Sequence, residues 1–267
     1  MFPPDLKALE NRTLYLLREI RAEARRPAVL WSMGKDSTAL LHLCRKAFFG
    51  EIPFPVIHID TTFKLPEMYA FRREVAERWN LDLHVATNRP ELERGMDASR
   101  GAEACCSALK TEPLKRIIVE HRIDALLLAI RRDEHGVRGK ERVFSPRDPD
   151  SRWDYLHQPL ELWDSVPAIP VGGHLRVHPM LHWTEVDVWR YTAAEGIPVN
   201  PLYFSRDGRR YRSLGCGPCT VPMESAAATL PEILTELNET RTAERAGRLQ
   251  DKERAFVMQK LRSMGYM

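Results

Sequence analysis

The sequence lacks any apolar run long enough to cross a membrane, and its first turns carry charges where a secretory signal would be apolar. It also lacks a strong excess of charge, because 40 lysines and arginines face 37 aspartates and glutamates, for a formal net charge of +3. That balance does not indicate bulk nucleic-acid binding through net charge. We therefore expect a cytoplasmic protein with no membrane partner.

Cysteine is scarce, with five in 267 residues. In a chain without a secretion signal, so few cysteines favour metal binding or catalysis over a framework of disulfides. The composition, 43% hydrophobic and 29% charged, is typical of an ordinary soluble globular protein. No internal repeat and no sharp linker divide the chain.

What is present is an alternation of short apolar runs with amphipathic segments. Runs at 28–31, 56–59, 81–85 and 125–130 predict strands, and helical spacing at 6–25, 38–49, 67–79, 111–121 and 184–195 predicts helices. This order predicts an α/β fold with a doubly wound, mostly parallel sheet, helices on both faces and a helical C-terminal extension at 230–265. Residues 137–173 show little periodicity and are predicted to be an irregular loop.

Polar residues follow three of the predicted strands. Ser32, Asp60 and Arg131 stand at or just beyond the carboxyl ends of strands, where open α/β sheets bind their ligands. Asp60 is a candidate for accepting hydrogen bonds from a ribose or adenine donor, with a helix N-cap as the alternative.

The loop from Ser32 to Thr38 lies between a predicted strand and a predicted helix. Gly34 allows a tight turn, successive amides and the helix N-terminus favour an anion, and Lys35 adds a mobile cation. The spacing differs from that of the nucleoside-triphosphatase P-loop. The loop is therefore predicted to bind a polyphosphate, and the alternative is a strand-to-helix turn that is polar by chance.

Four of the cysteines form two local pairs. Cys105 is adjacent to Cys106, and Cys216 and Cys219 form a C-x-x-C turn, so four thiolates could reach one metal centre. Zinc and an iron–sulfur cluster are the options, and zinc is disfavoured because its sites usually pair two C-x-x-C turns. The alternative is four reduced thiols without metal. Cys44 is predicted to pack in the core.

The motif Ser-x-Gly-Lys-Asp-Ser resembles the pyrophosphate-binding loop of the adenine nucleotide α-hydrolases, a group that includes sulfate adenylyltransferase subunit 2 and phosphoadenylylsulfate reductases. The resemblance to the adenylyltransferase subunit runs nearly end to end. Its further matches include Asp60-Thr61, Lys110-Thr111-Glu112, Arg131-Arg132-Asp133-Glu134, Lys140-Glu141-Arg142, Arg152-Trp153-Asp154, Trp183-Thr184-Glu185 and Leu214-Gly215-Cys216. It implies a catalytic domain at 1–229 and a helical tail at 230–267 that packs on this domain or extends from it.

The resemblance implies an enzyme in which an acceptor oxyanion attacks the α-phosphorus of ATP and releases pyrophosphate. Such a transition state requires preorganised cations and amides. The implied catalytic residues are Lys35, Asp36, Arg131, Arg132, Lys140 and Arg142. The implied ATP-binding residues are Ser32, Gly34, Lys35, Asp36, Ser37, Thr38 and Asp60. Mg²⁺ is expected on the pyrophosphate, held by Asp36 or Asp133; for any single arginine the alternative is a surface salt bridge.

The cysteine pattern resembles that of adenylylsulfate reductases, which implies a [4Fe-4S] cluster on Cys105, Cys106, Cys216 and Cys219. Lys110, four residues after Cys106, matches a lysine of the same pattern. Those reductases use a cysteine near the C-terminus as nucleophile, whereas residues 262–267 contain none. The sequence therefore argues against reduction by that route.

Three functions follow from these observations. The first is an iron–sulfur ATP pyrophosphatase of a DNA phosphorothioation system, with a cysteine desulfurase and DNA-modification proteins as partners. The second is a sulfate adenylyltransferase small subunit that acts with a GTPase subunit, and the third is a non-catalytic sensor of nucleotide or cluster. Arg241, Arg245 and Arg248 lie on a predicted charged helix, which is usually a solvated face but could contact DNA. An oligomer is compatible with all three.

Overall fold

A six-stranded sheet forms the centre of the protein, in a computed structural model that describes residues 4–161, 165–240, 242–248, 260–261 and 263–265. The strands are β1 (Pro27–Leu30), β2 (Val56–Ile59), β3 (Leu83–Ala86), β4 (Ala125–Leu127), β5 (Phe144–Arg147) and β6 (His174–Val177). Their order is β3-β2-β1-β4-β6-β5, and every neighbouring pair is parallel except β5 with β6. A separate ribbon pairs β7 (Arg209–Arg210) with β8 (Met223–Glu224).

Eight α-helices surround the sheet in the described part of the chain. They are α1 (Pro4–Glu23), α2 (Lys35–Ala47), α3 (Pro66–Arg78), α4 (Arg89–Glu93), α5 (Ala102–Cys106), α6 (Glu112–Glu120), α7 (Glu185–Glu195) and α8 (Leu230–Glu239). A π-helical turn, Ser107–Thr111, joins α5 to α6. No described helix is both long and apolar enough to serve as a membrane span.

The chain reverses direction across the sheet between β1 and β4. From β1 it moves outward to β2 and β3, and it then returns to β4 on the other side of β1. Because parallel crossovers are right-handed, α2 and α3 lie on one face and α6 lies on the other. The carboxyl ends of β1, β2 and β4 therefore surround the point of reversal, where such folds bind ligands. The predicted doubly wound α/β fold is confirmed.

The central strands are continuous apolar runs because both of their faces are covered. Every residue of β1, β2 and β4 is buried, as expected for parallel strands between two helical layers. The sequence prediction located each of them to within a few residues, although β4 ends at Leu127, three residues earlier than predicted. Helix α2 begins at Lys35 and not at residue 38, so three residues of the predicted loop form its first turn.

The region 137–173, predicted as an irregular loop, contains the edge strand β5. Its sequence, Phe-Ser-Pro-Arg, is short and contains a proline, which is tolerated there because β5 lies at the edge of the sheet. Gly173 precedes the partner strand, and a Cβ atom at this position would lie 2.0 Å from the carbonyl oxygen of Arg147. Only glycine allows this approach.

The C-terminal region is helical only in part. Helix α8 begins with a capping box in which Thr229 and Glu232 bond each other's backbone. Residues 242–248 run in turns, and the amide of Val221 donates to the carbonyl of Gly247 (2.9 Å). The predicted helix at 249–259 lies outside the described residues, and the division between residues 229 and 230 stays a prediction.

Candidate active site

The predicted phosphate-binding loop, residues 32–38, packs closely against the N-terminus of α2. Met33 adopts a left-handed backbone (φ 65°) and Gly34 holds an extended one, which turns the chain from β1 into the helix. The backbone amide of Lys35 donates to the hydroxyl of Tyr203 (2.9 Å), and the amide of Ser32 donates to Ser37 Oγ (3.2 Å). The loop thus presents amides and hydroxyls at the positive end of a 13-residue helix.

This loop forms one side of a pocket. The other walls combine an apolar part with a cationic part. The apolar side chains are Leu30, Trp31, Ile59, Leu128 and Ile130, and the cationic ones are Lys35, Lys64, Lys110, Arg138, Arg245 and Arg248. An apolar surface beside a cationic one suits a nucleotide, whose base is flat and whose phosphates are anionic.

Two predicted catalytic cations converge on a single carboxylate. The ammonium of Lys35 and the guanidinium Nη2 of Arg131 both contact the carboxylate of Glu244, which belongs to the C-terminal turns. Arg131 also donates from Nε to Asp36 Oδ1 (2.7 Å), and Lys35 Nζ lies 3.8 Å from Glu185 Oε1. The chain thus places an anion between two cations at the head of α2.

Burial and charge pairing determine the protonation of this group. Burial alone would lower the pKa of Lys35, but the carboxylates of Asp36, Glu244 and Glu185 outweigh burial and raise it. Arg131 follows the same pattern, and its pKa is raised. Glu244 behaves in the opposite way, because burial raises its pKa to about 7 despite both cations. Lys35 and Arg131 therefore remain cationic at neutral pH, whereas Glu244 readily gains or loses a proton.

Asp36 and Asp133, the predicted magnesium ligands, lie on either side of Arg131. Asp133 Oδ1 accepts from Arg131 Nη1 (2.6 Å), and its Oδ2 accepts from the backbone amide of Glu185 (2.8 Å). Burial raises the pKa of Asp133. Among the described residues, no group of three or more His, Cys, Asp or Glu side chains is already placed to hold a metal ion.

Of the predicted catalytic cations, only Lys35 lines the pocket. Arg131 is fully buried behind it and contacts the pocket residues Asp36 and Glu244, whereas Arg132, Lys140 and Arg142 lie elsewhere. Arg132 donates to the carbonyl of Glu141, and Arg142 donates from Nη1 to the carbonyl of Pro159 (2.6 Å). Lys140 is exposed at the end of the 3₁₀ turn Gly136–Lys140. None of the three lines the pocket. The two neighbouring arginines thus have different partners: Arg131 contacts Asp36 and Glu244, whereas Arg132 bonds to the carbonyl of Glu141.

Two of the predicted nucleotide ligands also bond within the protein. The carboxylate of Asp60 accepts from the amide of Thr62 (2.8 Å), from the hydroxyl of Tyr69 (3.0 Å) and from Arg72 (3.0 Å). Asp60 does not line the pocket. Thr38 Oγ1 donates to the carbonyl of Gly34 (2.9 Å) and is buried, so it stabilises the loop from inside.

His58, on β2, lines the pocket and is buried. Its Nδ1 donates to the carbonyl of Trp31 (2.9 Å), and burial together with the charge of Lys64 lowers its pKa to about 3. The folded protein therefore excludes a proton that the unfolded chain binds below pH 6.5.

We expect this histidine to make stability depend on pH. From pH 7 to pH 5 the free energy of unfolding should decrease by about 2 kcal/mol through His58 alone. The stability that His58 contributes is fully present above pH 6.5 and is lost as the pH falls toward 3. Urea unfolding of the wild type and of His58→Gln at both pH values measures the difference. Equal pH dependence in the two proteins would exclude this role.

The two cysteine pairs come together beside the pocket residues Lys64, Lys110 and Gly215, although no cysteine lines the pocket itself. Cys106 and Cys216 are buried, and Cys105 and Cys219 are half-buried. Burial and the neighbouring thiols Cys106 and Cys216 raise the pKa of Cys105 to about 12, so the pairs are close enough to interact electrostatically. The C-x-x-C turn is anchored where the amide of Gly217 donates to the carbonyl of Phe63 (2.7 Å).

Cys216 differs from the other thiols because cations surround it. Burial would raise its pKa, but Lys110 and Lys64 outweigh burial and lower it to about 7. Thr61 Oγ1 lies 3.2 Å from its sulfur. These cations therefore favour the thiolate form of Cys216 at neutral pH.

Several pocket residues were not predicted from the sequence. The sequence predicts that Arg245 and Arg248 lie on a solvated face or contact DNA, but both are buried. Arg245 donates a hydrogen bond to Glu134 Oε1 (3.0 Å). Arg241 lies outside the described residues. Glu244 gave no signal of its own in the sequence.

Comparison with known proteins identifies this arrangement. Residues 26–222 match the phosphoadenosine phosphosulfate reductase domain. The chain belongs to this family. Sulfate adenylyltransferase subunit 2 of Rhizobium meliloti (strain 1021) is 41% identical over 98% of this chain and 93% of its own length. The subunit 2 of Pseudomonas aeruginosa (strain PAO1) is 39% identical over 98% and 97%.

A solved structure shows the same fold at low identity. Phosphoadenylyl-sulfate reductase from Candida auris, in complex with phosphate, has a TM-score of 0.57 and 18% identity, and the match covers 83% of this chain and 98% of that one. The sequence-based resemblance to the adenine nucleotide α-hydrolases and to the adenylyltransferase subunit is confirmed.

Proposed function

We propose that this family member is an ATP-using nucleotidyltransferase of sulfur metabolism, and that its acceptor is sulfate. The observation that carries the proposal is the convergence of Lys35 and Arg131 on one anion at the N-terminus of α2. The nearly full-length similarity to sulfate adenylyltransferase subunits supports the choice of chemistry.

The pocket fits a transfer at the α-phosphorus. The base would lie against Trp31 and Leu128, and the phosphates would lie on the loop in place of the Glu244 carboxylate. The acceptor oxygen forms a bond to the α-phosphorus while the bond to the bridging oxygen breaks and pyrophosphate leaves with the electron pair. Lys35 and Arg131 would stabilise the charge that gathers on pyrophosphate. Mg²⁺ held by Asp36 or Asp133 would neutralise part of the same charge.

The acceptor subsite is proposed to consist of Lys64, Lys110 and Arg248. All three line the pocket, and all three influence the pKa of Cys216, so they are close together. Burial and the nearby cations Lys110 and Arg248 contribute to lowering the pKa of Lys64 to about 8. An enclosed cluster of cations suits a small oxyanion, because Lys110 and Arg248 are each only 5% exposed. The backbone of DNA would require a more open surface.

A GTPase subunit is the proposed partner. The anhydride between sulfate and the adenylyl group is strongly uphill to form, so net synthesis requires a coupled source of free energy. The relatives are named as subunits, which supports a second chain.

Sulfur insertion into DNA phosphates is the second candidate, and the cysteine quartet favours it. In this case a desulfurase would supply sulfur, and the adenylylated acceptor would be a backbone phosphate. The experiment that separates the two uses ATP labelled in the γ-phosphate, with sulfate or duplex DNA added in turn. Pyrophosphate formation stimulated by sulfate supports the first proposal, stimulation by DNA supports the second, and stimulation by neither contradicts both.

The quartet also supports a proposed [4Fe-4S] cluster. Cys105, Cys106, Cys216 and Cys219 supply four thiols from two segments that already meet, and Lys64 and Lys110 would offset the negative charge of a thiolate-bound cluster. When bound, such a cluster would supply a one-electron redox centre beside the proposed acceptor subsite. The side chains would have to turn toward a common centre, since no ready ligand group exists among the described residues.

Gly215 provides a test of the acceptor subsite. A Cβ atom there would lie 2.3 Å from Nη1 of Arg248, so alanine should displace the guanidinium. We expect Gly215→Ala to destabilise the protein by about 1–3 kcal/mol, because the guanidinium of Arg248 is buried and must shift to make room. Sulfate-stimulated turnover should fall at least about tenfold, equivalent to ~1.4 kcal/mol of transition-state stabilisation.

The matched control is Gly136→Ala, because a Cβ atom at Gly136 would meet nothing within 4 Å. Steady-state kinetics of the two variants, with sulfate varied at saturating ATP, makes the comparison. A Gly215→Ala enzyme with the turnover of the control would remove Arg248 from the acceptor subsite.

A further inference from the structure

One face of the antiparallel β5–β6 pair is polar although it is buried. Ser145 pairs with Arg176 and Arg147 pairs with His174, and residues opposite each other in a sheet share a face. All four are no more than 2% exposed. The opposite face carries Phe144, Leu175 and Val177 of the hydrophobic core.

Several donors on the polar face have no acceptor. Nε and Nη1 of Arg147, Nε2 of His174 and the hydroxyl of Ser145 are buried without a hydrogen-bond partner. The indole Nε1 of Trp153 is also buried and unpartnered, and its ring centroid lies 5.8 Å from Cζ of Arg147. Unpartnered donors thus gather around one guanidinium.

The positive charge of Arg147 is poorly compensated. Burial lowers the pKa of Arg147 to about 9, and the nearby carboxylate of Asp148 opposes this effect only in part. Burial, Arg176 and Arg147 together lower the pKa of His174. A buried cation whose N–H groups lack acceptors is strongly unfavourable, so the surroundings of Arg147 suit an additional anion.

We propose that the polar face of β5 and β6 is a second anion site, which takes a small tetrahedral oxyanion such as sulfate or phosphate. Such an ion offers several acceptor lone pairs to Arg147, Trp153 and Ser145 at once, and charge-assisted hydrogen bonds of this kind are the strong ones. None of these residues lines the ATP pocket, so the site is separate from the proposed reaction.

The elements that cover the face explain what the ion does. The amide of Trp153 donates to the carbonyl of Ser263 (3.2 Å), and Arg176 Nη2 donates to the carbonyl of Gly265 (2.6 Å). The cover therefore joins the loop after β5 to the C-terminal region. An ion bound to Arg147 would therefore stabilise this junction.

Arg147→Met tests the proposal through the direction in which the unfolding temperature changes. A buried cation without an anion costs stability, so in buffer with chloride alone the variant should unfold at the same temperature as the wild type or higher. With sulfate or phosphate at a hundred times its Kd, the wild type should gain roughly 5 °C over sodium chloride of equal ionic strength, and the variant should gain less. Equal gains in both proteins would overturn the proposal.

Sulfate or phosphate would also bind in the proposed ATP pocket and raise the unfolding temperature from there. The comparison is therefore repeated with Lys35→Ala in both proteins, and Arg147→Met should still reduce the rise in unfolding temperature. A direct measurement does not depend on any variant folding. Crystals grown in selenate should show an anomalous difference peak within hydrogen-bond distance of Arg147 Nη1. A map with water or no peak at this position overturns the site, and parallel crystals grown in phosphate separate a site for any tetrahedral oxyanion from one selective for sulfate.

Discussion

Lys35→Ala should reduce pyrophosphate release from ATP about a thousandfold, the loss typical of removing a preorganised group that stabilises transition-state charge. Lys35 is one of two cations that meet at the head of α2, and its side chain is 1% exposed. Water cannot replace a charge at so enclosed a position. Release of labelled pyrophosphate under saturating sulfate measures the effect.

Stability has to be separated from catalysis in this experiment. Removing Lys35 leaves the carboxylate of Glu244 with less compensation, and breaking such a buried pair typically costs about 3 kcal/mol. Because the pKa of Glu244 is already about 7, protonation should limit this loss and keep the protein folded. The double variant Lys35→Ala/Glu244→Gln removes the uncompensated charge. We expect it to recover stability without recovering turnover.

Arg45→Ala is the matched control, since it removes a cation from the same helix at a position that does not line the pocket. Its turnover should equal that of the wild type. If Lys35→Ala retained wild-type turnover, the phosphate loop would have no part in the reaction.

Glu244 shows why part of the candidate active site could not be predicted from the sequence. The sequence predicts local units well, because a buried strand and an amphipathic helix each carry their own pattern of apolar residues. Lys35 and Asp36 were found because the loop between β1 and α2 is continuous in sequence. Glu244 lies far along the chain, and its contact with Lys35 depends on how the C-terminal turns pack across the sheet.

The cations show the same limit. Arg131, Arg132, Lys140 and Arg142 form one basic region in the sequence, but none of them lines the pocket, and only Arg131 contacts pocket residues, namely Asp36 and Glu244. Their directions depend on backbone geometry that composition does not reveal. Conversely, the charge pattern around Arg248 is typical of an exposed helix, whereas the residue is 5% exposed.

The edge strand β5 was missed for a related reason. An antiparallel strand with one polar face would normally alternate apolar and polar residues, and Phe144 and Ser145 begin that alternation. Pro146 and Arg147 then obscure it. Pairing with β6 supplies the hydrogen bonds that local propensity does not predict.

Cys216→Ser should abolish iron binding, which is the second large effect. Anaerobically purified wild-type protein should contain iron and sulfide in the proportions of a [4Fe-4S] cluster and should absorb in the visible region. Cys216 is favoured as a thiolate, because Lys110 and Lys64 overcome burial and lower its pKa to about 7. A serine hydroxyl does not ionise near neutral pH and cannot replace it as a ligand.

Cys44→Ala is the control for this loss. Cys44 is buried in the core, where burial raises its pKa and no other cause contributes, so its removal should leave the visible spectrum unchanged. Iron analysis and spectra of the three proteins, purified side by side without oxygen, give the comparison. A colourless, iron-free wild type would reject the cluster and leave the four thiols to another role, whereas a coloured Cys216→Ser protein would show that the metal lies elsewhere. Retention of sulfate-stimulated pyrophosphate release in a cluster-free Cys216→Ser protein would further separate the cluster from ATP cleavage, as expected if Lys35, Arg131 and Mg²⁺ stabilise the leaving group without the cluster.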